Sequence, residues 1–233
     1  AVEGLLAPLL QPDAPSMERA RPYSQADAEA KNRVLIDKVG GDLAAARRRI
    51  GAYALRSETV PAAQRRAIIA ARLPLPLAPH PWPERWLGIT AVDAETGEHR
   101  LFDRASGVDL VDAVAASCSV PGAWPVVHID GRPYMDGGIR SITNADLAMA
   151  AAHVLVVAPL GYSDGNPVSG HLRAEVQALR DAGRRVDVIV PDAASAQAIG
   201  DNVLDPLRRA PAARAGLQQG LALGAALAAA WNT

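Results

Sequence analysis

Cysteine occurs once in this chain of 233 residues, at position 118. A single thiol cannot pair within the chain, so no disulfide framework supports the fold, and a reducing, cytoplasmic compartment suits the composition. An excess of positive charge is also missing, with 24 Lys and Arg against 25 Asp and Glu. That balance lacks the basic field that draws proteins onto nucleic acid, which argues against a nucleic-acid partner. Histidine is scarce: His80, His99, His128, His153 and His171 show no HxxxH or HxH spacing, so no metal site is suggested. No GxGxxG occurs, and the pair Gly137 and Gly138 lacks the longer glycine loop and lysine of a nucleotide cradle, so no cofactor is expected. The amino terminus has no Met, no basic n-region and a carboxylate at Glu3, a poor signal peptide that reads as a chain entered partway through.

Long apolar runs are missing too. The stretch from Ala212 to Trp231 carries Gly216, Gly220 and Gly224 at the four-residue spacing that lets helices approach closely in membranes. Arg214, Gln218 and Gln219 interrupt it, leaving about a dozen apolar residues where a bilayer core needs roughly 20. A helix packed on the domain is the expectation.

What is present is enough apolar sequence, 49%, to fill one large core, so residues 1–233 are expected to form a single domain. Its first 75 residues read as surface helices, a cover region. Ser24 caps the first helix, which Gly40 and Gly41 end; a second runs from Asp42 to Leu55, and a third starts at Thr59 with Pro61 in its first turn and continues through Ile68 and Ile69. The proline-rich run from Leu73 to Pro83 suits neither regular structure and reads as an extended connector. From residue 86 to 233 the pattern is that of a sheet-forming core. Trp86–Asp93 and His99–Phe102 form one hairpin, Pro125–Ile129 and Arg132–Met135 a second around Asp130 and Gly131, and Val108–Ser117 a helix between them. His153–Leu160 and Val186–Val190 read as strands buried on both faces, with a helix from His171 to Ala182 between them. This strand, helix, strand alternation predicts an α/β fold, a three-layer sandwich with a mostly parallel central sheet flanked by helices.

The most informative segment runs from Ala116 to Gly138. A short strand delivers Asp136 to its end, and Gly137 and Gly138 are expected to turn the chain there through positive φ angles, presenting the carboxylate rather than burying it. Asp-Gly-Gly after a strand is also ordinary turn composition. The whole segment decides between these readings. A helix ends in the small-residue turn Val120-Pro121-Gly122 and leads to Tyr134-Met135-Asp136-Gly137-Gly138. In this it resembles the patatin-like phospholipases. The likeness takes in the preceding helix, Gly107 to Ala115, the stretch Ser141 to Asp146, and the strand Val154 to Pro159, spanning roughly residues 86–215.

The resemblance implies a lipid acyl hydrolase with a Ser–Asp dyad in which Asp136 takes the serine proton directly, supported by Gly137 and Gly138. It also implies an acyl ester or phospholipid substrate and peripheral contact with a membrane. In that family a glycine-rich oxyanion loop and a GxSxG serine precede the matching region, and neither stands before it here, so the fold is expected to be incomplete at its amino terminus and the chain inactive alone. A patatin-fold binding module that has lost its nucleophile is the rival reading. An α/β-hydrolase using Ser163 is a third, because Gly161-Tyr-Ser-Asp-Gly165 matches GxSxG after a strand. Against it, no helix follows directly, and the order Ser, acid, His cannot be completed after Ser163. Cys118, at the negative end of its helix, reads as packing rather than as a nucleophile.

Overall fold

The computed structural model describes residues 22–73 and 81–231. The chain is a mixed α/β protein whose described residues fall into two compact units. One comprises 32–144 with 163–175, and the other comprises 22–31, 145–162 and 176–231.

The first unit is built on a four-stranded sheet in the order β2-β1-β4-β3, from β1 (Ile89–Asp93), β2 (His99–Phe102), β3 (Val127–Ile129) and β4 (Arg132–Asp136). Both expected hairpins form. In the first, the Asp93 carboxylate accepts the Glu95 and Thr96 N–H groups, closing the turn. In the second, Asp130 and Gly131 adopt φ of 50° and 77°, the two left-handed residues that a tight two-residue hairpin turn demands. The hairpins join edge to edge, because β1 pairs antiparallel with β4 and sets Ala91 opposite Asp136.

Three helices cover this sheet. Helix α2 (Leu43–Arg56) is capped by Asp42, α3 (Ala62–Arg72) begins after Pro61, and α4 (Leu110–Ser117) is capped by Asp109. Although α2 and α3 read from sequence as surface helices, each buries an inner stripe, Ala46, Gly51 and Ala54 in α2 and Arg65, Ile68 and Ile69 in α3. Ile69 packs with Val111 and Ala115 of α4, and Arg66 bridges the Asp109 and Asp112 carboxylates at 3.1 and 2.6 Å. At Gly51 a Cβ would stand 2.6 Å from the Ala94 carbonyl carbon, so the absence of a side chain lets α2 rest directly on the end of β1. The single phenylalanine, Phe102, meets Tyr134 edge-on at 5.1 Å inside the core formed with Ile89, Leu110 and Ile129. Of the proline-rich connector, 74–80 lie outside the described residues; beyond them Trp82 donates its indole N–H to the Val108 carbonyl at 2.8 Å.

The second unit holds a parallel pair, β5 (His153–Val157) with β6 (Arg185–Ile189), joined through α5 (Leu172–Asp181). Helix α1 (Gln25–Lys38) is the first element of the described chain. Helices α6 (Ala193–Ile199) and α7 (Arg209–Trp231) pack on each other. Gln219 of α7 donates to the Val190 carbonyl at 2.7 Å and accepts the Asp192 N–H at 3.2 Å, fastening the helix beyond the end of β6. Trp231 stacks on His153, ring centroids 4.1 Å apart, and His153 in turn meets Asp187 at 2.6 Å. Among the described residues no helix is long and apolar enough to cross a membrane.

Two expectations are corrected. The larger sheet is antiparallel throughout, not mostly parallel, because local turn chemistry generates two hairpins and only one strand-helix-strand unit forms. Strand β5 is not buried on both faces either. Val154 and Val156 are 7% exposed while Leu155 and Val157 are 40% and 62% exposed, so one face of the parallel pair is open.

Candidate functional site

Asp136 is the last residue of β4, and its placement is set from several directions by main-chain atoms. Its own N–H donates to the Ser119 carbonyl at 3.1 Å, just past the end of α4. Ser119 is fully buried and its hydroxyl donates to the Pro125 carbonyl, so the turn after α4 is tied to the approach of β3. The Asp136 carboxylate caps the single helical turn Gly137–Ile139 by accepting the Gly138 N–H at 2.7 Å.

Neither glycine works as expected. Positive φ occurs at Gly122 of the Val-Pro-Gly turn but not at Gly137 or Gly138. Glycine is required at 137 by crowding, because a Cβ there would lie 2.5 Å from the Thr90 carbonyl oxygen and closer still to its hydroxyl. At 138 a Cβ would come 2.9 Å from the Asp136 carboxylate oxygen and displace it. The carboxyl group is also less freely presented than the sequence suggests. The residue is half-buried, and loss of solvent raises its pKa from 3.8 to about 6, with the Gly138 N–H opposing the shift. A carboxylate poised near neutral pH, partly withdrawn from water and held by one donor, is suited to receive a proton.

A residue that the sequence reading passed over organises the loop behind it. Asn144 is buried in a left-handed conformation, φ 48°. Its amide NH2 donates to the Ser141 carbonyl at 2.6 Å and to the Gly137 carbonyl at 3.3 Å, while its oxygen accepts from Arg140 at 2.8 Å. The signal was available: Asn tolerates left-handed backbone better than most residues, and Ser141 three positions earlier accepts its N–H. Asn144→Ala leaves the Gly137 and Ser141 carbonyls without these donors. Chemical denaturation should show a loss of about 1–3 kcal/mol.

The match to known families falls on this unit. Residues 35–149 match the family model of the patatin-like phospholipases. The patatin-like match covers nearly the whole continuous stretch of the first unit, including α2 and α3 and extending through Asp136, Gly137, Gly138 and Asn144. It begins earlier than the likeness read from sequence and ends before β5.

The other candidates lie elsewhere. Ser163 has φ 48°, but α5 begins only at Leu172, so no helix follows as a nucleophile elbow requires. Its neighbours are otherwise engaged: Asp164 pairs with Arg173 at 2.7 Å, and the His171 ring nitrogen meets the Val168 carbonyl at 2.9 Å. Cys118 is the C-cap of α4, the position expected for it. Among the described residues no group of His, Cys, Asp and Glu could hold a metal ion.

Proposed function

We propose that this chain supplies the general base of a patatin-like lipid acyl hydrolase, with Asp136 acting on a serine that lies outside residues 1–233. The observation that carries the reading is the desolvated Asp136 carboxyl, raised to about 6 and fixed by main-chain contacts at the end of β4. Asp136 takes the hydroxyl proton as the serine oxygen attacks the carbonyl carbon of an acyl ester and the carbonyl π pair moves onto oxygen. Collapse of that intermediate expels the alcohol, which receives the proton back from Asp136; water then repeats the sequence on the acyl-serine. A carboxylate is a weak base, so donors from a glycine-rich loop must hold the oxyanion and lower the barrier by several kcal/mol. Gly137 and Gly138 support the base by leaving room for Thr90 and for the carboxylate itself. The open face of the β5–β6 pair is where further helices would pack, and a lipid substrate brings the protein into peripheral contact with a membrane.

Assayed alone on p-nitrophenyl butyrate, this chain should show no turnover above a heat-denatured control. Joined to the polypeptide that supplies the serine, it should hydrolyse the ester. Turnover by the chain alone that survives Asp136→Asn overturns the dyad. A joined protein that cleaves no ester leaves the reading of a binding module in its place.

A further inference from the structure

Residues 163–175 belong to the first unit although they follow the family match, which ends at residue 149. They fold back tightly on themselves. The Asn166 N–H donates to the Ser163 carbonyl at 2.9 Å and the Gly170 N–H to the Asn166 carbonyl at 2.8 Å, while a Cβ on Gly170 would come 2.6 Å from the Asn166 carbonyl oxygen. Val168, Ser169 and Leu172 are buried. This closed loop braces the stretch that follows Asp136. The Ser169 carbonyl accepts the Ile142 N–H at 3.1 Å, and Glu175, buried in the first turn of α5, accepts the Thr143 hydroxyl at 2.9 Å. Thr143 directly precedes Asn144, and a left-handed backbone outside glycine needs its neighbours to hold it. The threonine χ1 is stiff, so a hydroxyl fixed from outside fixes the main chain that carries it. The Ser141 hydroxyl completes the hold by accepting the Thr143 and Asn144 N–H groups at 3.3 and 3.0 Å. Asn144 then reaches the Gly137 carbonyl at 3.3 Å, on the residue beside Asp136.

We propose that Glu175 is a positioning residue for Asp136, acting through Thr143 and Asn144 on the turn that follows the base. The proposal rests on the reading of Asp136 as the base and adds to it a group from beyond the matched residues.

The test is an NMR titration of the Asp136 carboxyl carbon in the full chain, its signal assigned by its absence from Asp136→Asn. In Glu175→Ala the turn loosens and water reaches the carboxyl, so the acid dissociation constant of Asp136 should rise about tenfold. Glu175→Gln keeps an oxygen for the Thr143 hydroxyl and should stay within about twofold of wild type. Thr143→Val removes the hydroxyl at nearly constant shape and should match Glu175→Ala, and the double substitution should go no further than either, as for groups in one chain of contacts. Titration of Asp136 alike in wild type, Glu175→Ala and Thr143→Val overturns the proposal. A Gln variant shifted as far as the Ala variant also overturns it, because Glu175 then acts by charge and not through the hydroxyl. Additive shifts in the double variant overturn the shared route. Where Glu175→Ala fails to fold, Thr143→Val and Glu175→Gln carry the test. The titration reads the placement of Asp136 with no serine present, so hydrolysis of p-nitrophenyl butyrate by the joined protein tests the base reading separately.

Discussion

Asp136→Asn, in the protein joined to its serine, lowers kcat by about 10² or more, the scale usual for loss of a general base. KM should change little, because in the proposed dyad the carboxylate acts on the serine and not on the acyl chain. The wild-type protein has a second signature. Asp136 must be ionised to accept a proton, so kcat falls as the pH drops through about 6, and the Asn variant shows no such limb. Stability moves in the opposite sense. The folded pKa lies above the unfolded value of 3.8, so the protonated carboxyl contributes its full stability below that value and the contribution is lost as pH rises through about 6. Asparagine keeps an oxygen to accept the Gly138 N–H and carries no charge. The variant should therefore melt with the wild type near pH 4 and above it near pH 7.5, a gain that kcat measured beside the melting temperature sets against the lost activity. Full activity in the Asn variant, with identical melting at both pH values, ends the case for Asp136 as the base.

Gly137→Ala has the larger effect on folding. The added methyl group points into the Thr90 carbonyl, which is main chain in the strand that holds Asp136 in register, so nothing nearby can yield without moving β1. Overpacking of this kind costs about 2–3 kcal/mol, and in a chain of this size melting should fall by roughly 5–10 °C. Gly138→Ala is a useful contrast, since its methyl group presses only on the Asp136 side chain. It should depress kcat with a smaller change in melting. A Gly137→Ala protein that melts with the wild type would show that β1 and the turn are not packed as described.

The parts of this molecule that sequence made legible are those settled within a few residues. Asp130 and Gly131 specify their hairpin because both backbones must be left-handed, and Ser24 and Asp42 cap the helices that follow because their oxygens reach the next free N–H groups. Asp136 was singled out as a candidate by the motif around it. What distant segments decide was not. Leu155 and Val157 are as apolar as Val154 and Val156, and nothing in the residues themselves says that one set has no neighbour. The two hairpins were themselves a sign of antiparallel pairing, and the expectation of a mostly parallel sheet gave too much weight to the single strand-helix-strand unit. Gly137 was recognised as necessary for the wrong reason, since the crowding comes from Thr90, 47 positions earlier.

Asp136 is held by peptide groups: the Ser119 carbonyl on its N–H, the Gly138 N–H on its carboxylate, and the Thr90 carbonyl crowding the residue beside it. Peptide groups are common to every amino acid, so inheritance can exchange many surrounding side chains without shifting Asp136. Among the exceptions are the glycines, where gaining any side chain is the injury.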